Sequence, residues 1–214
     1  YPPLETDLTC DVVVLGGGIT GALITYVLTK AGVDVVVLDK RDIASGSTSA
    51  STAMLQYEID KELQELTTMV GQADAVRSYR LGLEALEALE EIVGVVGATH
   101  LFQRVASIYA TRYQRHRRRL QTEFAARQAA GFNVRYAEPA ELKACYGLQA
   151  QGAIISAEGA VTDAYALAHT LFAHCKNLGA RILDRTEATK IVPTATGITV
   201  QTNRNASIQA AKVV

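Results

Sequence analysis

The sequence predicts an α/β fold that opens on a βαβ crossover. Three observations carry this. Residues 11–15 (DVVVL) form a continuous β-branched run, the pattern of a parallel strand buried on both faces. A glycine cluster follows, and an apolar stripe then runs at helical spacing through residues 19–31, with Gly32 placed to end it. Residues 33–38 (VDVVVL) are a second buried run, closing on Asp39. Strand, glycine turn, helix and strand fit in about thirty residues, the length of one βαβ unit.

Composition narrows the function classes. The chain has 214 residues, 49% hydrophobic and 20% charged, which excludes a disordered chain. Lys+Arg number 21 and Asp+Glu 22, so the chain lacks the basic excess of a dedicated nucleic-acid binder, and no nucleic-acid partner is expected. No run approaches the roughly 20 apolar residues of a membrane span, so no transmembrane segment is expected. The longest candidate, residues 12–28, is interrupted by Gly16, Gly17, Gly18 and Gly21. Three cysteines, Cys10, Cys145 and Cys175, are too few for a disulfide framework. A reducing, cytoplasmic setting follows, with buried thiols expected at Cys145 and Cys175. The sequence begins on Tyr1 and stops within an apolar strand pattern, so it is read as the N-terminal part of a longer polypeptide.

The remaining elements read in order. Residues 42–52 are a loop of small hydroxyl side chains, 54–70 a helix, and 72–93 a stronger helix broken by Gly94 and Gly97. One strand is expected over 102–111, a helix over 113–130 capped by Gly131, a strand over 132–136, and a short helix from Pro139 to Cys145. One or two strands follow over 152–161. The helix at 163–178 has Asp163 as N-cap and Gly179 at its C-terminal end. Strand runs close the chain at 181–184, 186–192, 198–202 and 208–214.

The chemistry lies in Gly16-Gly17-Gly18-Ile19-Thr20-Gly21, a G-x-G-x-x-G pattern that follows a strand and opens a helix, a Rossmann-like context. Gly16 turns the chain, Gly18 lets the backbone approach a pyrophosphate, and Gly21 lets the helix pack close to the strands. Free N–H groups and the helix dipole favour the anion there. Asp39 ends the second strand, where a carboxylate can accept both ribose hydroxyls of an adenosine and disfavours a 2′-phosphate. A ligand-free structural glycine turn is the bland alternative.

Other features have bland readings. Arg112, Arg115, Arg117, Arg118 and Arg119 with His116 read as a solvated helix face. His169 and His174 are not at metal-ligand spacing on one helical face, His100 stands alone, and no metal is expected. Arg104 and Tyr109 could face a ligand or simply pack.

The stretch DVVVLGGGITGALITYVLTKAGVDVVVLDKRDIASGSTSASTAML resembles the N-terminus of the FAD-dependent oxidoreductase family that includes D-amino-acid oxidase, glycine oxidase, sarcosine oxidase and glycerol-3-phosphate dehydrogenase. Looser matches continue through Gly152-Ala153, the helix after Asp163, Gly179-Ala180-Arg181-Ile182 and Ala211-Lys212-Val213-Val214. The resemblance implies FAD as cofactor. It implies that Gly16, Gly18, Ile19, Thr20 and Gly21 hold the pyrophosphate and Asp39 the ribose. Lys40 and Arg41 would line the adenine side, and the backbone of Ala188 would meet adenine. Gly46, Ser47, Thr48 and Ser49 match a hydroxyl loop near the pyrophosphate; Ala53, Met54 and Leu55 match a stretch that passes the flavin ring. Ala50-Ser51 stands where many members carry Arg-Ser, and Thr52-Ala53 replaces glycines often found there.

The implied organisation is an FAD-binding βαβ domain with the beginning of a mixed-sheet α+β substrate domain. Residues 1–98 would belong to the first, 99–180 to the second, and 181–214 would return to the first. The implied reaction passes a hydride from a small amine or amino acid to the flavin. A glycerol-3-phosphate-type dehydrogenase and a non-catalytic nucleotide-binding fragment are the alternatives. The family's substrate-anchoring residues lie mostly beyond this segment, so no catalytic residue is assigned. With one wall of its site, the segment is expected to hold FAD weakly or not at all. The oligomeric state is left open.

Overall fold

The computed structural model describes all 214 residues. The elements in chain order begin with β1 (Leu8–Leu15), α1 (Ile19–Lys30), β2 (Val35–Leu38), β3 (Met54–Gln56), α2 (Leu63–Val70) and α3 (Gln72–Val95). Then come β4 (Phe102–Arg104), β5 (Ser107–Thr111), α4 (Arg117–Ala129), β6 (Val134–Ala137), α5 (Pro139–Tyr146), β7 (Gly152–Ser156) and β8 (Gly159–Thr162). The chain closes with α6 (Ala164–Asn177), β9 (Arg181–Leu183), β10 (Ala188–Thr194), β11 (Gly197–Thr202) and β12 (Ser207–Val213). These divide into two compact units that interleave along the chain. One comprises Tyr1–Ala53, Val96–Leu101 and Asp163–Val214; the other comprises Met54–Val95 and Phe102–Thr162. The division differs from consecutive segments at 1–98, 99–180 and 181–214.

The first unit is a six-stranded sheet in the order β10-β11-β12-β1-β2-β9. β12, β1, β2 and β9 run parallel, while β10, β11 and β12 pair antiparallel. The apolar runs read from sequence are its centre: Val13, Val35, Val36 and Val37 are wholly buried. β1 starts earlier than its β-branched run because Leu8 and Thr9 already pair with Ile208 and Gln209. α1 packs on α6 through small and β-branched side chains, with Thr25 and Thr29 buried and each hydroxyl donating to the carbonyl four residues back. Asp163 caps α6 as expected, its carboxylate accepting from Ala166 N–H at 2.9 Å.

The second unit holds two three-stranded sheets, β3-β8-β4 and β5-β7-β6, with α2 to α5. Its main core stacks Tyr57, Tyr79 and Phe132 against Leu63, Leu66 and Leu86. Three sequence expectations are corrected here. Residues 54–70 are not one helix. Ala53 takes a left-handed φ of 50°, Met54–Gln56 pairs with β8, and the helix begins only at Leu63. That start is fixed from afar: the buried Glu123 carboxylate accepts from Leu63 N–H at 2.8 Å and Gln64 N–H at 3.0 Å. The strand at 102–111 is two strands in different sheets, parted at Val105 and Ala106, because Val105 N–H turns to Gly159 O. Gly94 does not end α3, which runs to Val95; Gly97, with φ of 73°, makes the break.

Candidate functional site

The first unit gathers the glycine turn, Asp39 and the 183–188 segment at the carboxyl ends of β1 and β2, where open α/β sheets hold ligands. Gly16 leaves β1 with φ of 114°, a backbone conformation open to glycine. Its N–H donates to Leu38 O at 2.8 Å, tying the turn to the end of β2. A Cβ on Gly21 would collide with the Gly16 carbonyl, so close packing of α1 requires glycine there. A Cβ on Gly18 would come within 2.8 Å of Thr48 Oγ1.

Asp39 is the hub. Its Oδ2 accepts from Gly17 N–H at 2.7 Å and its Oδ1 from Arg41 N–H at 2.8 Å. Its own backbone is clamped, N–H to Leu183 O at 3.0 Å and C=O from Thr186 N–H at 2.8 Å. Gly16, Asp39, Lys40, Arg41 and Ala188 line one groove of about 380 Å³, together with Thr186 and Glu187. The hydroxyl loop covers the start of α1. Gly18 offers no side-chain cap, and Thr48 replaces it from 29 residues away, Oγ1 accepting from Ile19 N–H at 3.0 Å. The N–H groups of Gly18, Thr20 and Gly21 find no acceptor within the chain. Gly46 lies under Arg41, where a Cβ would meet the guanidinium at 2.6 Å, and Ser49 donates to Gly46 O at 2.9 Å. Ser47 is exposed at the loop surface.

The residues present fit a dinucleotide. Free amides at a helix start suit a pyrophosphate, glycines leave the approach clear, and a fixed carboxylate suits ribose hydroxyls. Of the sixteen residues singled out from sequence, Met54 and Leu55 alone belong to the second unit. Ala53, the last residue of the first, is buried, its N–H held by Ser51 Oγ at 3.0 Å. Sequence reasoning missed Gly17, whose amide makes the Asp39 bond, and Thr186, which is buried beneath Asp39 and bonded to Leu4 N–H and Asp184 O. A hydroxyl between an acid and a strand, as in Asp184-Arg185-Thr186, was the available signal for the latter.

Elsewhere the bland readings gain partners. Arg117 pairs with Glu138, Arg119 with Glu62 and Glu65, and Arg104 with Glu90. Tyr109 Oη donates to Glu62 at 2.8 Å. Burial alone would raise the Glu62 pKa, but hydrogen bonds from Arg119, Gln64 and Tyr109 outweigh it and hold the carboxyl below its usual range. Cys10 and Cys175 are buried, and burial pushes both thiols up to about 11. Cys145 is exposed, against expectation, because it sits on the outer face of α5, which buries only Leu142. No helix is long and apolar enough to cross a membrane.

Comparison with known proteins agrees with this geometry. The chain superposes on glycine oxidase from Geobacillus kaustophilus with a TM-score of 0.82 and 20% identity, covering 96% of this chain and 54% of that one. It is 33% identical over 78 residues to γ-glutamylputrescine oxidoreductase of Escherichia coli K12, covering 35% of this chain and 18% of that protein. It is 40% identical over 50 residues to the anaerobic glycerol-3-phosphate dehydrogenase of Haemophilus influenzae, covering 23% of this chain and 9% of the matched polypeptide. The chain thus spans about half the glycine oxidase and under a fifth of these two curated relatives. The family model described as DAO, FAD dependent oxidoreductase, matches residues 11–214, and the chain belongs to that family.

Proposed function

We propose that this chain is the FAD-holding part of an oxidoreductase that oxidises a small amine or amino acid. The observation that carries the reading is the Asp39 carboxylate, fixed by two backbone amides beside a glycine turn with three free N–H groups. Gly16, Gly18, Ile19, Thr20 and Gly21 hold the pyrophosphate. Asp39 accepts the ribose hydroxyls, Lys40 and Arg41 flank the adenine, and Ala188 meets it through its backbone. The 46–49 loop closes over the phosphates, with Thr48 keeping its hydroxyl proton free for a phosphate oxygen while it accepts from Ile19. Ala53, Met54 and Leu55 pass the flavin ring.

FAD held by these residues would supply a two-electron acceptor for oxidation of an amine to the imine level. The chain's residues bind, orient and exclude water; the reacting nitrogen must be neutral, with its lone pair available. The partner is a small-molecule substrate, and three free cysteines are in keeping with a cytoplasmic setting.

Titration of the purified chain with FAD, followed by flavin fluorescence, tests this. Saturable binding that competes with ADP is the expected result. FAD binding that ADP does not compete with would overturn the reading.

A further inference from the structure

Residues 1–4 are tied to the segment that follows β9. Leu4 is buried in the core of the first unit with Val13, Val36 and Leu38. The Tyr1 ring packs edge-on against Phe172 of α6, ring centroids 6.4 Å apart. Pro2 O accepts from Asp184 N–H at 3.2 Å, and Tyr1 O accepts from the Arg185 guanidinium. A side chain makes the buried tie: Thr186 Oγ1 accepts from Leu4 N–H at 3.0 Å and donates to Asp184 O at 3.0 Å.

We propose that this arm is part of the nucleotide-binding apparatus and that Thr186 is a positioning residue, whose hydroxyl couples the arm to residues 184–188 and so holds them against Asp39–Arg41. The adenosine assignment rests on the function proposed above; the coupling rests on the geometry of the first unit alone.

The groove needs an anchor of this kind. The ladder between β2 and β9 ends at the pair Leu38 and Leu183, so residues 39–41 and 184–188 leave the sheet together. Beyond it, Thr186 N–H donates to Asp39 O at 2.8 Å and Arg185 N–H to Arg41 O at 3.1 Å. These bonds join the residues on either side of Lys40, and Asp39, Lys40, Arg41 and Thr186 all line the groove. Arg185, between the tied residues, holds a left-handed φ of 48°. A non-glycine residue keeps such a conformation where its surroundings over-determine it. The arm supplies that surrounding hold.

The hydroxyl has no capacity left over for a ligand. Thr186 is buried, and its Oγ1 both donates and accepts within the protein. It acts through Asp39, whose carboxylate accepts from Gly17 N–H and Arg41 N–H. Valine has the same shape and neither capacity. Thr186→Val leaves the Leu4 N–H buried without an acceptor, a cost relieved when the arm moves off. Thr186→Ser keeps the hydroxyl.

Site-resolved amide hydrogen exchange of the ligand-free chain tests the coupling in wild type, Thr186→Val and Thr186→Ser. In the valine variant the N–H groups of Gly17, Arg41, Arg185 and residue 186 should exchange roughly tenfold faster, the size expected for one buried N–H that loses its partner. Amides within β1 and β2 should keep their protection, and serine should restore the wild-type pattern. Unchanged exchange at Gly17 and Arg41 in the valine variant overturns the proposal. Uniform acceleration through β1 and β2 also overturns it, because that is the result of a hydroxyl that serves stability alone. In titrations with ADP, affinity should fall several-fold in Thr186→Val and return in Thr186→Ser; equal affinity in the valine variant and wild type removes the positioning role. FAD binding that ADP does not displace strikes the adenosine assignment instead, and the exchange pattern still decides the coupling.

Discussion

Gly17 and Asp39, 22 residues apart, are joined by a 2.7 Å hydrogen bond from the glycine N–H to the carboxylate Oδ2. The bond links the turn after β1 to the residue that closes β2. It fixes the acid's rotamer before any ligand arrives, so less side-chain freedom is lost on binding. With Oδ1 held by Arg41 N–H, the carboxylate still has lone pairs for two further donors.

Asp39→Ala removes an acceptor from two protein amides and from a ribose. A hydrogen bond to a charged group contributes about 1.5–3 kcal/mol, so FAD affinity should fall roughly tenfold to a hundredfold. A fluorescence titration reads this. Equal affinity in the variant would show that the ribose lies elsewhere.

Gly21→Ala sets two effects against each other. Alanine is favoured over glycine in a helix by about 1 kcal/mol. The added Cβ would collide with the Gly16 carbonyl, and overpacking against backbone costs about 1–3 kcal/mol. The clash should prevail, giving a lower urea midpoint; a raised midpoint would mean that α1 can move away from the turn.

Ala53→Gly should do the opposite. Ala53 holds φ of 50°, and the left-handed region costs a non-glycine residue about 1–2 kcal/mol. Glycine relieves this but adds about 0.4–1 kcal/mol of unfolded-state entropy. A net gain of up to about 1.6 kcal/mol is expected in thermal unfolding. Here sequence and structure meet: the resemblance implies glycine at residues 52–53, and the Ala53 backbone holds the conformation that glycine favours.

The βαβ unit and the groups around Gly16 and Asp39 were legible because each rests on local chemistry. A buried run, a glycine turn and an acid all lie within residues 11–39. The start of α2 was not legible, because Glu123 sets it from 60 residues away, a distance over which sequence pattern carries no signal. The split of residues 102–111 escaped for the same reason, being decided by pairing with β8 in one sheet and β7 in the other. Thr186 was hidden because burial under Asp39, and not its own neighbours, gives it a role.

The three thiols should divide by exposure. Cys10 and Cys175, with pKa values pushed up to about 11 by burial, hold about one thiolate in a thousand at pH 8. Cys145 is exposed. A disulfide-exchange reagent should titrate one thiol quickly in the native protein and all three in guanidinium chloride. Fast reaction of two or more in the native state would contradict the packing of α6 against the sheet or of β1 within it.

Arg127 and Glu123 give the largest expected stability effect. Glu123 is wholly buried, bridging Arg127 to the first two amides of α2, while Arg127 stacks over Tyr79 at 5.5 Å. Burial opposes the arginine's charge, but the Glu123 hydrogen bond and its acidic neighbours win and raise its pKa. Arg127→Leu strands a buried carboxylate and should cost about 3–5 kcal/mol. Glu123→Gln in that background removes the stranded charge while keeping an acceptor for Leu63 N–H, and should restore part of the loss. Urea unfolding of both single variants and the double variant measures the coupling. Additive losses would mean that the two charges are solvated independently.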